Sequence, residues 1–287
     1  MIKLTERATE PVRHTSRRKE METPSVRHGY TTGAAGNRLH YLDYGGEGTS
    51  LICMHGVIGN AWNWKAVAAG IGDRRRVVAL DFRGYGESQW SPTHDYTTSD
   101  HVADLGALIE ALGEESVDLM GSSWGALVAI QYAAENPDRV GSIVVVDVEA
   151  SFAQSETDLF PRPTSHADHG EVRTGLGFAF PNAPEEMLEL TALTSFRPVD
   201  EGRLAPKHDP LFFERWPFRS DDHWERLDGM ETPALLVHAA DSFVNFDVMS
   251  DMAGRMANAT LVQVTDTTHV IPVDNPAGLV EAVLPFL

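Results

Sequence analysis

Three residue types that together attack carbonyl carbons occur far apart in this 287-residue chain. Ser123 sits at the centre of Gly121-Ser122-Ser123-Trp124-Gly125. The apolar run Val117–Met120 precedes it, and Ala126–Ala134, which reads as a helix, follows. A strand, a tight turn and a helix with serine at the apex form a nucleophile elbow. The serine backbone is strained there, so its neighbours two residues away must be small. Glycine satisfies this because it lacks the β-carbon that would collide with the turn. Gly-x-Ser-x-Gly alone also arises by chance as a plain turn; the strand before and the helix after make Ser123 a candidate nucleophile.

A serine hydroxyl is a poor nucleophile at neutral pH and needs a base within hydrogen-bond reach. A histidine oriented by a buried carboxylate supplies one. His269 lies after the last strand-like run, in Thr265-Asp266-Thr267-Thr268-His269-Val270-Ile271-Pro272, where it closes the carboxyl end of a sheet. Two acids compete to orient it. Asp147 follows Ile143–Val146, and Asp241 follows Leu235–Ala240; both are strand ends, where sites of open α/β sheets gather. Strand logic alone leaves the choice open. An oxyanion hole is also required. The expected donors are the N–H of Trp124, whose indole is also expected to wall a pocket, and the N–H of Val57. Val57 lies in His55-Gly56-Val57-Ile58-Gly59, where His55 is expected to be structural. His238, inside a strand, reads as a core or rim residue. His166-Ala167-Asp168-His169 lacks the third ligand and oriented surroundings that a catalytic zinc needs, so no metal is expected.

The elements that must position these groups alternate. Arg38–Tyr44 reads as an edge strand. Leu51–Met54 and Val77–Leu80 are continuous apolar runs, as in strands buried on both faces. Val117–Met120, Ile143–Val146, Ala234–Val237 and Leu261–Val264 complete the set. Ser99–Leu112, Gly125–Glu135 and Pro276–Leu287 have helical spacing. This is the pattern of an α/β fold with a mainly parallel sheet. Residues 151–227 break the alternation with Pro161, Pro163, Pro181, Pro184, Pro198, Pro206, Pro210 and Pro217 and a high density of aromatics. The stretch is too long for a plain loop. It reads as a helical lid, with one helix over Pro184–Thr194 capped by Asn182. Four domain segments follow: an N-terminal extension (1–28), a first core part (29–150), the lid (151–227) and a second core part (228–287).

The chain has 23 Lys/Arg against 42 Asp/Glu, a net charge of −19. Residues 1–28 hold seven basic residues against four glutamates, so the acidity belongs to the rest. An acidic body repels phosphate backbones and anionic membranes. The basic extension reads as a mobile arm. Cys53, the single cysteine, excludes an internal disulfide and reads as buried and inert. The N-terminus shows no apolar secretory stretch, and the expected location is the cytoplasm. The expected partner is a small-molecule substrate, with a homodimer left open, no nucleic acid and no membrane.

His55-Gly56, Asp81-Phe82-Arg83-Gly84-Tyr85-Gly86-Glu87-Ser88, Gly121–Gly125 and His269, in this order, resemble the α/β-hydrolase superfamily from about Gly29 to Leu287. Together they are specific for the fold and not for a substrate. In the common pattern of that family the late acid ends a Gly-x-x-Asp turn. Here the turn aligns as Ala239-Ala240-Asp241-Ser242, so serine holds the acid's place. A branch that includes N-formylmaleamate deformylase and (E)-2-(acetamidomethylene)succinate hydrolase instead uses an acid twenty-four residues beyond the nucleophile, where Asp147 stands. The segments Phe180–Pro184 and Phe196–Asp200 look like the second of these. The resemblance therefore favours Asp147.

The expected activity is that of a cofactor-free serine hydrolase on a small ester or amide. Ser123 is its nucleophile, His269 its base and Asp147 its acid. Dehalogenases and epoxide hydrolases of this fold need a carboxylate where Ser123 stands and are excluded. Carbon–carbon hydrolysis of a ring-cleavage product and a non-catalytic ligand receptor are the alternatives. A dicarboxylate substrate would call on lid cations, with Arg162, Arg173, Arg197 and Arg203 as candidates.

Overall fold

The computed structural model describes residues 26–152 and 154–287. The chain lays down β1 (Arg27–Thr32), β2 (Arg38–Asp43), β3 (Ser50–Met54), α1 (Lys65–Ile71), β4 (Arg76–Asp81) and α2 (Thr98–Leu112). It continues with β5 (Val117–Ser122), α3 (Trp124–Glu135) and β6 (Val140–Val146). A long excursion holds α4 (His169–Ala179), α5 (Glu185–Thr194), β7 (Phe196–Pro198), β8 (Leu204–Pro206) and α6 (Trp224–Leu227). The fold closes with β9 (Ala234–Ala239), α7 (Phe246–Arg255), β10 (Ala259–Val264), α8 (Ile271–Asp274) and α9 (Pro276–Val283).

Eight strands form one sheet in the order β1-β2-β4-β3-β5-β6-β9-β10. β1 and β2 are antiparallel to their neighbours, and the strands from β4 to β10 pair in parallel. Because strand side chains alternate, each apolar run feeds two cores. Ile52, Leu119, Ile143, Val145 and Leu236 pack on the face covered by α2, α3 and α7. Leu51, Cys53, Met120, Val144, Val146 and Val237 pack on the face covered by α1 and α9. Each of these side chains is at most 1% exposed, and full burial of one aliphatic group is worth about 1.5–3 kcal/mol. The two-sided burial explains why these strands read as continuous hydrophobic runs. Cys53 is part of this core, and burial pushes its thiol pKa up, away from the reactive thiolate.

Helix ends follow local chemistry. α2 opens with Thr97, whose side chain accepts from the Asp100 N–H in a reciprocal capping box. It closes at Gly113 in the left-handed region, φ 72°.

Several expectations are corrected. Arg38–Tyr44 is not an edge strand, since β1 pairs along its outer side. β1 escapes notice because its residues are exposed or half-buried and carry no apolar alternation. It also takes Arg27 and His28 from the segment assigned to the N-terminal arm; the rest of that arm, up to residue 25, lies outside the described residues. Asn182 does not cap the helix at Glu185–Thr194, whose N-cap is Pro184. Its backbone N–H instead donates to Asp274 Oδ1 at 2.9 Å. Helices α1, α4, α6, α7 and α8 have no counterpart among the helices read from the sequence. No helix among the described residues is long and apolar enough to cross a membrane.

The segment between β6 and β9 lies against the loops that leave the carboxyl ends of the strands. Asn60 Nδ2 donates to Ser195 Oγ at 2.9 Å, Trp90 Nε1 to the Lys207 carbonyl at 3.1 Å, and Tyr96 Oη to Asp209 Oδ2 at 2.5 Å. Besides α4, α5 and α6 it contains the β7–β8 hairpin and 3-10 turns at Pro210–Phe213 and Pro217–Ser220. It thus holds more elements than the single helix read from its sequence.

Candidate active site

Ser123 occupies the turn between β5 and α3 with φ 54° and ψ −122°, a conformation disfavoured for any side chain bearing a β-carbon. Its N–H donates to the Val146 carbonyl at 2.9 Å, which ties the turn to the neighbouring strand. The flanking glycines are required by contact. A β-carbon on Gly121 would lie 2.1 Å from the Gly125 carbonyl oxygen, and one on Gly125 would lie 2.2 Å from the Met54 carbonyl oxygen.

His269, in the loop between β10 and α8, reaches Ser123. Its Nε2 is 3.0 Å from Ser123 Oγ, and its Nδ1 is 2.7 Å from Asp147 Oδ2. An ionised carboxylate only accepts, so Nδ1 carries the proton and Nε2 is left to accept from the serine hydroxyl. Asp147 is completely buried and turns out of β6 at φ 49°. Its Oδ1 accepts from the Ala239 N–H at 2.8 Å, and its Oδ2 also accepts from Ser242 Oγ at 2.5 Å. Asp241 is exposed, and its backbone N–H donates to the Thr267 carbonyl. The structure thus brings Asp147 to the histidine and leaves Asp241 outside. Ser242, noticed only as the residue in the usual acid position, is in the network. A hydroxyl three residues beyond a buried strand is the signal the sequence offers for it.

The loop after β3 runs beside the serine. A β-carbon on Gly56 would stand 2.8 Å from Ser123 Cβ, so glycine permits this approach. The loop folds back with Gly59 N–H on the Gly56 carbonyl at 3.1 Å and Ile58 at φ 62°. Val57 therefore follows a residue packed against Ser123, and Trp124 is the first residue of α3, where a helix leaves its N–H groups free. The Asp81–Ser88 motif supports this loop from below. Phe82 N–H donates to His55 Nε2 at 3.1 Å, and His55 Nδ1–H donates to the Gly56 carbonyl at 2.7 Å. Burial lowers the His55 pKa, keeping it neutral and able to accept from Phe82. Burial alone would raise the Asp81 carboxyl, but the hydrogen bonds from His40 and the Glu87 N–H hold it below the usual carboxylate range.

The Trp124 indole, expected to wall a pocket, is instead wholly buried against Phe82, Tyr85, His101 and Phe218, and its Nε1 donates to Thr98 Oγ1 at 2.8 Å. His238 is bonded within the core, to the Val244 carbonyl and Gln263. Asp168 caps α4, while His166 and His169 face Glu171 and Glu189 at 3.6 and 3.4 Å. Of the four arginines named as candidate cations, Arg173 pairs with Glu185 and Glu189, Arg203 bonds Ser165, and Arg197 lies over Trp90. Arg162 is enclosed by Phe160, Phe213 and Trp216; its Nη2 donates to the Phe212 carbonyl, and its Nε and Nη1 have no partner among the described residues.

Comparison with known proteins places this geometry. Residues 49–276 match the α/β hydrolase fold family. The chain belongs to that hydrolase family. An esterase of Mycobacterium tuberculosis is 29% identical to this α/β hydrolase over 258 residues, covering 84% of each chain. N-formylmaleamate deformylase of Pseudomonas putida is 40% identical over 123 residues, 43% of this chain and 46% of that one. The crystal structure of E-2-(acetamidomethylene)succinate hydrolase superposes with a TM-score of 0.77 at 21% identity, covering 91% of this chain and 98% of that chain. At that identity the likeness establishes the fold. The branch whose members Phe180–Pro184 and Phe196–Asp200 resemble is therefore among this hydrolase's relatives.

Proposed function

We propose that this α/β hydrolase is a cofactor-free serine hydrolase that cleaves a small ester or amide through an acyl-enzyme. The observation that carries the reading is the continuous hydrogen-bonded line from Ser123 Oγ through His269 to the buried Asp147. Ser123 Oγ attacks the carbonyl carbon while its proton passes to His269 Nε2. The imidazolium so formed is held by Asp147 through Nδ1–H. Val57 and Trp124 N–H groups receive the charge that develops on the carbonyl oxygen, a term worth about 10²–10³-fold in rate per donor. His269 then returns the proton to the departing alcohol or amine. Water, deprotonated by the same nitrogen, attacks the acyl carbon and frees Ser123. If a substrate carries a carboxylate, Arg162 is a candidate cation for it, with Nε and Nη1 both without a partner among the described residues.

Labelling with a fluorophosphonate tests the reading. The wild type is expected to lose one equivalent of reactive serine and Ser123→Ala none. A screen of small esters and amides should show turnover that disappears in Ser123→Ala. An unlabelled wild type would favour a receptor on a hydrolase scaffold.

A further inference from the structure

We propose that Ser242 is a positioning residue: its hydroxyl holds the Asp147 carboxylate in the orientation that His269 requires. The proposal rests on the serine-hydrolase reading above. A carboxylate torsion is broad and twofold, so a lone aspartate does not by itself keep one oxygen aimed at an imidazole. Here each oxygen of Asp147 is held from the end of β9. The Ala239 N–H takes Oδ1 at 2.8 Å, and Ser242 Oγ takes Oδ2 at 2.5 Å, on the same oxygen that faces His269 Nδ1 at 2.7 Å. Rotation of the carboxylate breaks at least one of these bonds. The serine is held in turn, because its Oγ accepts the Val244 N–H at 3.0 Å. Its own proton is then directed to Asp147.

The choice of a neutral donor matters electrostatically. Among the described residues no lysine or arginine forms an ion pair with Asp147; its one charged-pair partner is His269. A cation in place of Ser242 would neutralise the carboxylate and withdraw support from the imidazolium. A hydroxyl fixes the geometry, shares the charge and leaves it in place. The buried oxygen also gains a second donor that water cannot supply at a fully buried residue.

A serine in this place could serve its own turn alone, through the bond from Val244. The two roles separate by readout. Ser242→Ala removes both bonds and Ser242→Thr keeps both, but only loss of the bond to Asp147 alters the charge that His269 faces. Rates are measured on p-nitrophenyl acetate and butyrate from pH 5 to 9, normalised to the sites that a fluorophosphonate titrates. The labelling rate constant is followed over the same range. Ser242→Ala is expected to lose about 10- to 100-fold in kcat, the worth of one hydrogen bond to a charged group, with KM within about twofold. Its acid limb in kcat/KM should move to higher pH, because a carboxylate with one donor fewer stabilises the imidazolium more. Ser242→Thr should recover to within about threefold of wild type, with the wild-type acid limb. Wild-type kcat per titrated site in Ser242→Ala, or a lowered kcat with an unmoved acid limb, would overturn the proposal. Failure of the wild type itself to label would sink the serine reading rather than this one alone.

Discussion

At Asp147 and Asp241, two carboxylates that each follow closely on a strand end meet opposite fates. Asp147 leaves β6 in the left-handed region, buried, with both oxygens occupied by N–H and O–H donors. Asp241 faces solvent. Replacing Asp147 by Asn keeps the shape but offers an amide where the imidazole needs an acceptor. Loss of about 10⁴-fold in kcat is expected, from the wrong tautomer of His269. Asp241→Asn should stay within about twofold of wild type, as exposed substitutions do. Steady-state kinetics of the two variants decide between them; the reverse ranking would move the acid role to Asp241. The same local view explains why glycine stands on both sides of the serine, since a β-carbon at either would enter a carbonyl oxygen at about two-thirds of the contact distance.

Among the elements, α8 joins the histidine loop to the excursion between β6 and β9. Its Asp274 is fully buried and accepts from the Thr268 N–H at 2.6 Å and from Asn182 N–H and Nδ2 at 2.9 and 3.3 Å. Thr268 adjoins His269, so one carboxylate sets the base's loop and anchors the segment before α5. Asp274→Ala would strand these donors and is expected to cost about 2–4 kcal/mol of stability together with a fall in kcat. Asn182→Ala, which removes one side-chain donor and spares the loop bond, should cost about 1 kcal/mol and leave kcat nearly unchanged. Thermal unfolding and kinetics of both variants check this; an Asp274→Ala protein with wild-type kcat would detach the anchor from the base.

For the molecule as a whole, acid is the direction of instability. His208 is buried, and burial lowers its pKa to about 4 despite the nearby Asp209 carbonyl. Between its unfolded value near 6.5 and that folded value, the unfolded chain binds a proton that the folded chain refuses. Stability therefore rises with pH in this window and is lost as pH falls through it. Burial also lowers His55 and, well below its usual value, His101, with the same sign. Asp81, held below the ordinary carboxylate range, adds a further loss at lower pH, where the unfolded chain takes up a proton before the folded one does. Urea unfolding at pH 7 and 4.5 should show the wild type weakening, and His208→Gln should weaken by about 2–3 kcal/mol less over that interval. An unchanged pH dependence in His208→Gln would remove His208 from the account.

Short-range physics made much of this legible in the sequence. Strands buried on both faces spell themselves as apolar runs, the elbow needs its two glycines, and a histidine past the last strand has few other places to go. β1 was silent because an exposed edge strand buries no alternating face. Asn182 read as a cap since cap chemistry is local, whereas its partner Asp274 lies 92 residues away. The sheet order decided the rest. Only once β9 lies beside β6 do Ala239 and Ser242 close around Asp147, while Asp241 between them is turned to water. Which of two equivalent strand ends meets an imidazole depends on the packing of segments distant along the chain, and a linear pattern carries no such distance.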